Sequence, residues 1–235
     1  LIAIRYLDGN RLARAVIAGA HFVAERAEAL NKINVFPVPD GDTGTNVAST
    51  LQKMAAGIAR LRQRHLREMS KALADQAVGG ARGNSGAILA QFFCGFWEGL
   101  PDAPRVTTSG FGTAVVAAAE SAYAAIARPV EGTILTVIRD WARYVADRAG
   151  EVRDFGILLP ESLKAAKVSL ENTPKQMKAL QKAGVVDAGA QGFVYLLEGI
   201  VTYFRESARS VPVQTFPEDI QAAVFDKTPE AILFR

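Results

Sequence analysis

Apolar residues recur along this chain at steps of three and four, and that spacing constrains the fold more than any other feature. Leu12, Val16, Ala20, Val23, Ala27 and Leu30 form one stripe, and Val47, Leu51, Met54, Ile58 and Leu61 form another. Segments 67–78, 85–100, 113–127, 133–149, 161–170 and 188–206 repeat the pattern. Thr173-Pro174 has the form of an N-cap followed by proline at the first helical position, and Gly184 the form of a stop for that short helix. No run alternates with the period of a strand, and Val185-Val186 is nearly all the β-rich sequence between the helical segments. The expectation is an all-α protein of about eight or nine amphipathic helices around one core.

The 235 residues, 49% hydrophobic and 22% charged, suffice for such a core and argue against a disordered chain. A net charge of +3, with no basic cluster interleaved with aromatics, argues against a nucleic-acid partner. The single cysteine, Cys94, excludes an intrachain disulfide and fits a reducing, cytoplasmic compartment. The most apolar stretch, 87–97, is shorter than the roughly 20 residues a membrane-spanning helix needs. Leu1 stands where a methionine would, and no signal peptide is visible. After Ser210 the composition changes, with Pro212 and Pro217 and an apolar end at Ala231 to Arg235. Residues 1–209 are therefore expected to form one domain, with 210–235 a linker leading to a domain this chain does not contain.

The unusual residues fall between the helical segments, in four loops: 34–46, 79–86, 129–133 and 184–192. The first reads "PVPDGDTGTN" and sets Asp40 and Asp42 one glycine apart, with no lysine or arginine close by. In a turn, paired hard oxygens of this kind suit magnesium, which takes one or two carboxylates plus waters and substrate phosphates. The same residues also suit an Asx-type turn that caps the helix starting near Thr45. The second loop, "GGARGNSG", runs directly into an apolar helix. Its glycines and helix N-terminus suit an anion, and Ser85 adds a hydroxyl donor; a helix–helix turn capped by Asn84 or Ser85 would use the same residues. Neither loop is a Walker A sequence, because no Gly-Lys-Ser/Thr follows at the required spacing.

Four stretches, "NVFPVPDGDTGTN", "GGARGNSGAILAQFF", "PVEGTILTVIRDWA" and "TPKQMKALQKAGVVDAGAQGFVYLLEG", together resemble the N-terminal kinase domain of bacterial fatty acid kinase. That domain is similar to the ATP-binding L subunit of dihydroxyacetone kinase. The resemblance runs in order through about Arg209. It implies an antiparallel barrel of amphipathic helices, with ATP or ADP at one rim and two magnesium ions between its phosphates and aspartates. Asp40 and Asp42 match two acidic metal ligands and carry the catalytic role. Asn34, one residue out of register, stands nearest to a third ligand and offers a carbonyl oxygen without charge. Thr43, Gly44, Thr45 and Asn46 match the helix start beside the phosphates, and Gly83, Asn84, Ser85 and Gly86 match the second phosphate loop. Thr133, Leu135, Asp187 and Gly189 lie in segments that match the adenine and ribose lining.

The resemblance further implies phosphoryl transfer to a fatty acid carboxylate, presented by an acyl-binding partner protein, as a step toward phospholipid synthesis. Further domains of the same chain would follow, and a homodimer could form through them. A carboxylate acceptor is already ionised at neutral pH, which accounts for the absence of an evident general base. Two other readings use the same residues: a dihydroxyacetone-type kinase subunit, and a regulatory module that holds ADP and transfers nothing. Elsewhere, His21 and His65 read as ordinary helix or surface residues and the basic run Arg60–Arg67 as a solvated helix end. Phe92, Phe93, Phe96 and Trp97 read as core packing, with Cys94 buried among them.

Overall fold

The helical periodicity appears as ten α-helices in the computed structural model, which describes residues 3–209. They are α1 (Gly9–Ala24), α2 (Ala27–Lys32), α3 (Thr43–Ile58), α4 (Leu66–Gly80), α5 (Gly83–Gly99), α6 (Thr108–Ala124), α7 (Ile134–Ala149), α8 (Phe155–Gln176), α9 (Lys178–Ala183) and α10 (Ala188–Arg209). The all-α expectation of about eight or nine helices is met with ten, because the first stripe divides. No proline or glycine marks the division. Arg26 lies between the two pieces, its guanidinium donating to the Phe22 carbonyl at 2.9 Å while stacked 3.5 Å over the Phe22 ring, so it closes α1 while Leu30 of α2 stays buried. Two strands, β1 (Leu7–Asp8) and β2 (Arg105–Val106), pair antiparallel with Leu7 opposite Val106. At two residues each they are too short to show an alternating pattern. Residues 210–235, expected to be a linker, lie outside the described residues.

Eight helices are long, and each packs on the next around a closed ring: α1, α3, α4, α5, α6, α7, α8, α10, and back to α1. The interior is aromatic. Phe92, Phe111, Trp141, Phe155 and Phe193 meet edge-on or tilted, with ring centroids 5.5–6.3 Å apart. The one polar group of this cluster, the Trp141 indole N–H, donates to Ser162 Oγ at 3.0 Å. Phe92, Phe93 and Phe96 are buried as expected. Trp97 and Cys94 are only half-buried, which corrects their placement in the core.

Two further expectations are corrected. Thr173 does not cap a new helix, because α8 continues through Pro174 to Gln176, and Met177 precedes α9. Proline at 174 cannot donate to the Leu170 carbonyl; the Thr173 hydroxyl donates to it instead, at 2.7 Å. Gly184 does end α9, in the left-handed conformation at φ 68°. Nor is the basic run a helix end. α3 stops at Ile58, and Arg67 belongs to α4, where its guanidinium donates to the carbonyls of Trp97 and Leu100 and so closes the C-terminus of α5.

Candidate functional site

Because neighbouring helices run in opposite directions around the ring, the starts of α3, α5, α7 and α10 share one rim. There Thr43, Gly83, Ile134 and Gly189 border a single cleft of about 400 Å³, a size suited to a small-molecule ligand. The positive ends of four helix dipoles therefore surround one cavity. Of the residues singled out in the sequence, Asn34, Asp40, Asp42, Thr43, Asn46, Gly83, Asn84, Ser85, Thr133, Leu135, Asp187 and Gly189 line it. Gly44, Thr45 and Gly86 do not. A Cβ on Gly44 would lie 2.0 Å from the Ala27 carbonyl oxygen, and one on Gly86 would lie 2.6 Å from Thr50 Oγ1. Both glycines serve helix contacts behind the cleft.

The acid loop differs from a capping turn. Asp42 stands at the N-cap of α3 yet makes no side-chain cap hydrogen bond. Asn31 of α2 caps that helix, its Oδ1 accepting from the N–H groups of Gly44 at 2.7 Å and Thr45 at 3.1 Å. The exposed Asp42 carboxylate is thereby left for the cleft. Asp40 accepts from Asn34 Nδ2 at 2.7 Å, and this bond fixes which way the Asn34 amide is turned. Asn34 is 5% exposed, and its Oδ1 has no hydrogen-bond partner. A buried, unpaired carbonyl oxygen beside two carboxylates is a donor set that fits a hard cation. Among the described residues no group of three or more His, Cys, Asp or Glu is placed to hold a metal, so phosphates and water would have to complete the shell.

The opposite wall carries the glycine loop and Asp187. Gly83 takes φ 60°, and a Cβ there would lie 2.7 Å from Asn46 Nδ2, so only glycine brings α5 this close to α3. No side chain caps the N-terminus of α5. Thr50 Oγ1 donates to the Asn46 carbonyl at 2.8 Å and accepts from Arg82 N at 3.1 Å, locking the starts of α3 and α5 together. Asp187 does the same for α7 and α10. Its Oδ2 accepts from Ile134 N at 3.0 Å and Ala190 N at 2.8 Å, while its own N–H donates to Thr173 Oγ1 at 3.1 Å. Burial pushes the Asp187 carboxyl up to about 6, against the opposing pull of the Ala190 and Ile134 N–H groups.

Sequence reasoning passed over three residues here. Asn31 caps α3 from another helix, and Thr50 ties two helix starts; each partner is chosen by tertiary structure and leaves no local signal. Arg128 also lines the cleft, on the α6–α7 loop. Its neighbours in "ARPVEGTIL" were the only hint.

The fold and cleft define a closed helical ring with an acid loop and a glycine loop at one rim. The chain belongs to the DAK2 domain family, whose model matches residues 37–202. It is 34% identical over 233 residues to Protein YloV of Bacillus subtilis, covering 99% of this chain and 42% of that protein. It is 38% identical over 195 residues to the uncharacterized protein SSP1546 of Staphylococcus saprophyticus, covering 83% of this chain and 35% of that protein. The chain thus spans less than half the length of these relatives. Among solved structures, the dihydroxyacetone kinase of C. freundii superposes with a TM-score of 0.61 at 18% identity, over 81% of this chain and 34% of that one. The same kinase in complex with AMP-PNP and Mg2+ superposes with a TM-score of 0.60. This likeness shows the all-α fold. No helix among the described residues is long and apolar enough to cross a membrane.

Proposed function

We propose that this domain binds magnesium-ATP in the rim cleft and serves as the phosphoryl-donor module of a kinase whose acceptor is a fatty acid carboxylate. One observation carries the reading. Asp40 and Asp42 line a cleft walled by four helix N-termini, and neither carboxylate is used to cap a helix. Such a site offers anionic ligands to a cation and positive dipole ends to a polyphosphate at once. The solved complex of the dihydroxyacetone kinase with AMP-PNP and Mg2+, on the same fold, agrees with it.

Asp40, Asp42 and the Asn34 carbonyl oxygen would hold magnesium, which supplies charge neutralisation on the transferring phosphate. Thr43, Asn46 and the first turn of α5, Gly83 to Ser85, would hold the phosphates. Thr133, Leu135, Asp187 and Gly189 would border the nucleoside, and Phe36 and Val38 beside the acid loop and Ile126 and Val130 beside Arg128 add apolar wall to the cleft. No residue need remove a proton from a carboxylate acceptor, so orientation and charge stabilisation do the work. The acyl-binding partner, the cytoplasmic setting and the further domains belong to this same reading.

The test is γ-phosphate transfer by the full-length protein carrying this domain, with labelled ATP and magnesium, to an acyl-loaded fatty-acid-binding protein. An acyl phosphate on the partner is the expected product. Transfer to dihydroxyacetone instead would move the reading to the other kinase branch, and nucleotide binding without transfer to any acceptor would make the domain a regulatory module.

A further inference from the structure

The cleft lining contains three carboxylates, Asp40, Asp42 and Asp187, and a single cation, Arg128. Arg128 is exposed and, unlike Arg139 on the following helix, makes no hydrogen bond or ion pair among the described residues. It is therefore not spent on neutralising Asp40 or Asp42. The two acids are left for a metal, and the guanidinium is left for an anion.

The chain around Arg128 is held at both sides. Upstream, Ile126 N donates to the Tyr123 carbonyl at the end of α6. Downstream, Glu131 accepts from both terminal nitrogens of Arg139, at 2.6 and 2.9 Å, and from the Thr136 hydroxyl at 2.7 Å. The Thr133 hydroxyl donates to the Val130 carbonyl at 2.7 Å, and Gly132 N donates to Thr136 Oγ1 at 2.9 Å. Pro129 biases the backbone of the residue before it away from helix. Glu131 and Arg139 satisfy each other, which leaves Arg128 as the residue of this loop with an unused charge. The bonds on either side hold Arg128 at the cleft, and its guanidinium has no partner among the described residues.

We infer that Arg128 is a phosphate-binding residue of the cleft, its guanidinium contacting the outer phosphates of the bound nucleotide. A guanidinium matches the paired oxygens of a phosphate geometrically and stays charged at every working pH. The inference rests on the nucleotide reading above and goes beyond it by assigning the cationic contact that a cleft without a phosphate-loop lysine lacks.

Isothermal titration of the wild type, Arg128→Gln and Arg128→Lys with ATP, ADP and AMP, each with excess magnesium, tests it. The side chain is exposed and unpartnered, so the variants keep the fold, which circular dichroism checks. Arg128→Gln should weaken ATP binding about tenfold or more and ADP binding less, with AMP within twofold of wild type; Arg128→Lys should fall between for ATP. ATP affinity within twofold of wild type in Arg128→Gln overturns the assignment while leaving the nucleotide reading standing. An equal loss for ATP, ADP and AMP also overturns it, because that pattern belongs to a contact with the nucleoside. A wild type that binds none of the three removes the nucleotide reading and this inference together.

Discussion

Asn34 changes what removal of an acid from the loop should do. Like charges one glycine apart repel, so on charge alone truncating Asp40 would raise the melting temperature of the ligand-free protein. In the structure the Asp40 carboxylate is the partner of the buried Asn34 amide, whose Oδ1 is already unpaired. Asp40→Ala leaves both ends of that amide without a partner, at a cost of about 1–3 kcal/mol. The expected outcome is a lower melting temperature for Asp40→Ala and an unchanged one for Asp42→Ala, whose carboxylate caps nothing. Both variants should lose magnesium-dependent nucleotide binding. Thermal melts without ligand separate the two, and equal melting temperatures would remove Asn34 from the account. Gly86 is revised in the same way. It matches the second phosphate loop in sequence, yet a Cβ there would meet Thr50 Oγ1 at 2.6 Å, inside the α3–α5 contact. Gly86→Val should therefore destabilise the ligand-free protein by about 1–3 kcal/mol, through overpacking of the α3–α5 contact, while Ser85→Ala leaves stability unchanged. Urea unfolding of the two variants reads this directly.

At the scale of elements, Asp187 is the residue that joins two helix starts through one oxygen, and its burial makes that junction pH-dependent. Its carboxyl titrates near 6 in the fold against an ordinary 3.8. Between those values the folded protein holds a proton that the unfolded chain has released, so this group's contribution to stability falls as pH rises through the window and is flat on either side. The full shift corresponds to about 3 kcal/mol, of which about 2 lies between pH 4.5 and 7.5. Asp187→Asn keeps an acceptor oxygen for Ile134 and Ala190 and abolishes the titration. Measured by urea unfolding, the variant should gain about 2 kcal/mol on the wild type between pH 4.5 and 7.5; a constant difference would mean that the carboxyl titrates normally. The long helices and their buried faces were legible because periodicity is a local property. So were the four loops, since glycine and acid residues between apolar stripes stand out. What stayed hidden was every choice of partner across the fold. Thr173-Pro174 looked like a helix start because the hydroxyl that repairs the proline gap also has the form of a cap. Arg67 looked solvated because its carbonyl partners lie about thirty residues away, at the end of α5. The break after α1 is made by an arginine, a good helix former that carries no stop signal.

Over the whole molecule, the cleft follows from an even-numbered ring. Eight long helices with alternating direction bring four N-termini to one rim, and closure requires α10 to seat against α1. That seat is made by backbone. A Cβ on Gly199 would lie 2.6 Å from the Gly19 Cα and 2.7 Å from the Ala18 carbonyl oxygen, and neither can yield without moving a helix. Closure and cleft are therefore mechanically linked, because α10 also carries Gly189 into the cleft behind its Asp187 cap. Gly199→Ala gains helix propensity of about 1 kcal/mol but forces the helices apart, an overpacking cost of about 1–3 kcal/mol that should exceed it. Gly79 supplies the control, since it lies in α4 with nothing within 4 Å of a new Cβ and its φ is negative. Gly79→Ala should then stabilise the protein by up to about 1 kcal/mol through the same propensity gain. Urea unfolding of both variants should give opposite signs, with Gly199→Ala less stable than wild type and Gly79→Ala more stable. If Gly199→Ala were also stabilised, the helices would have to slide without cost, and ring closure could not be what positions the start of α10 at the cleft.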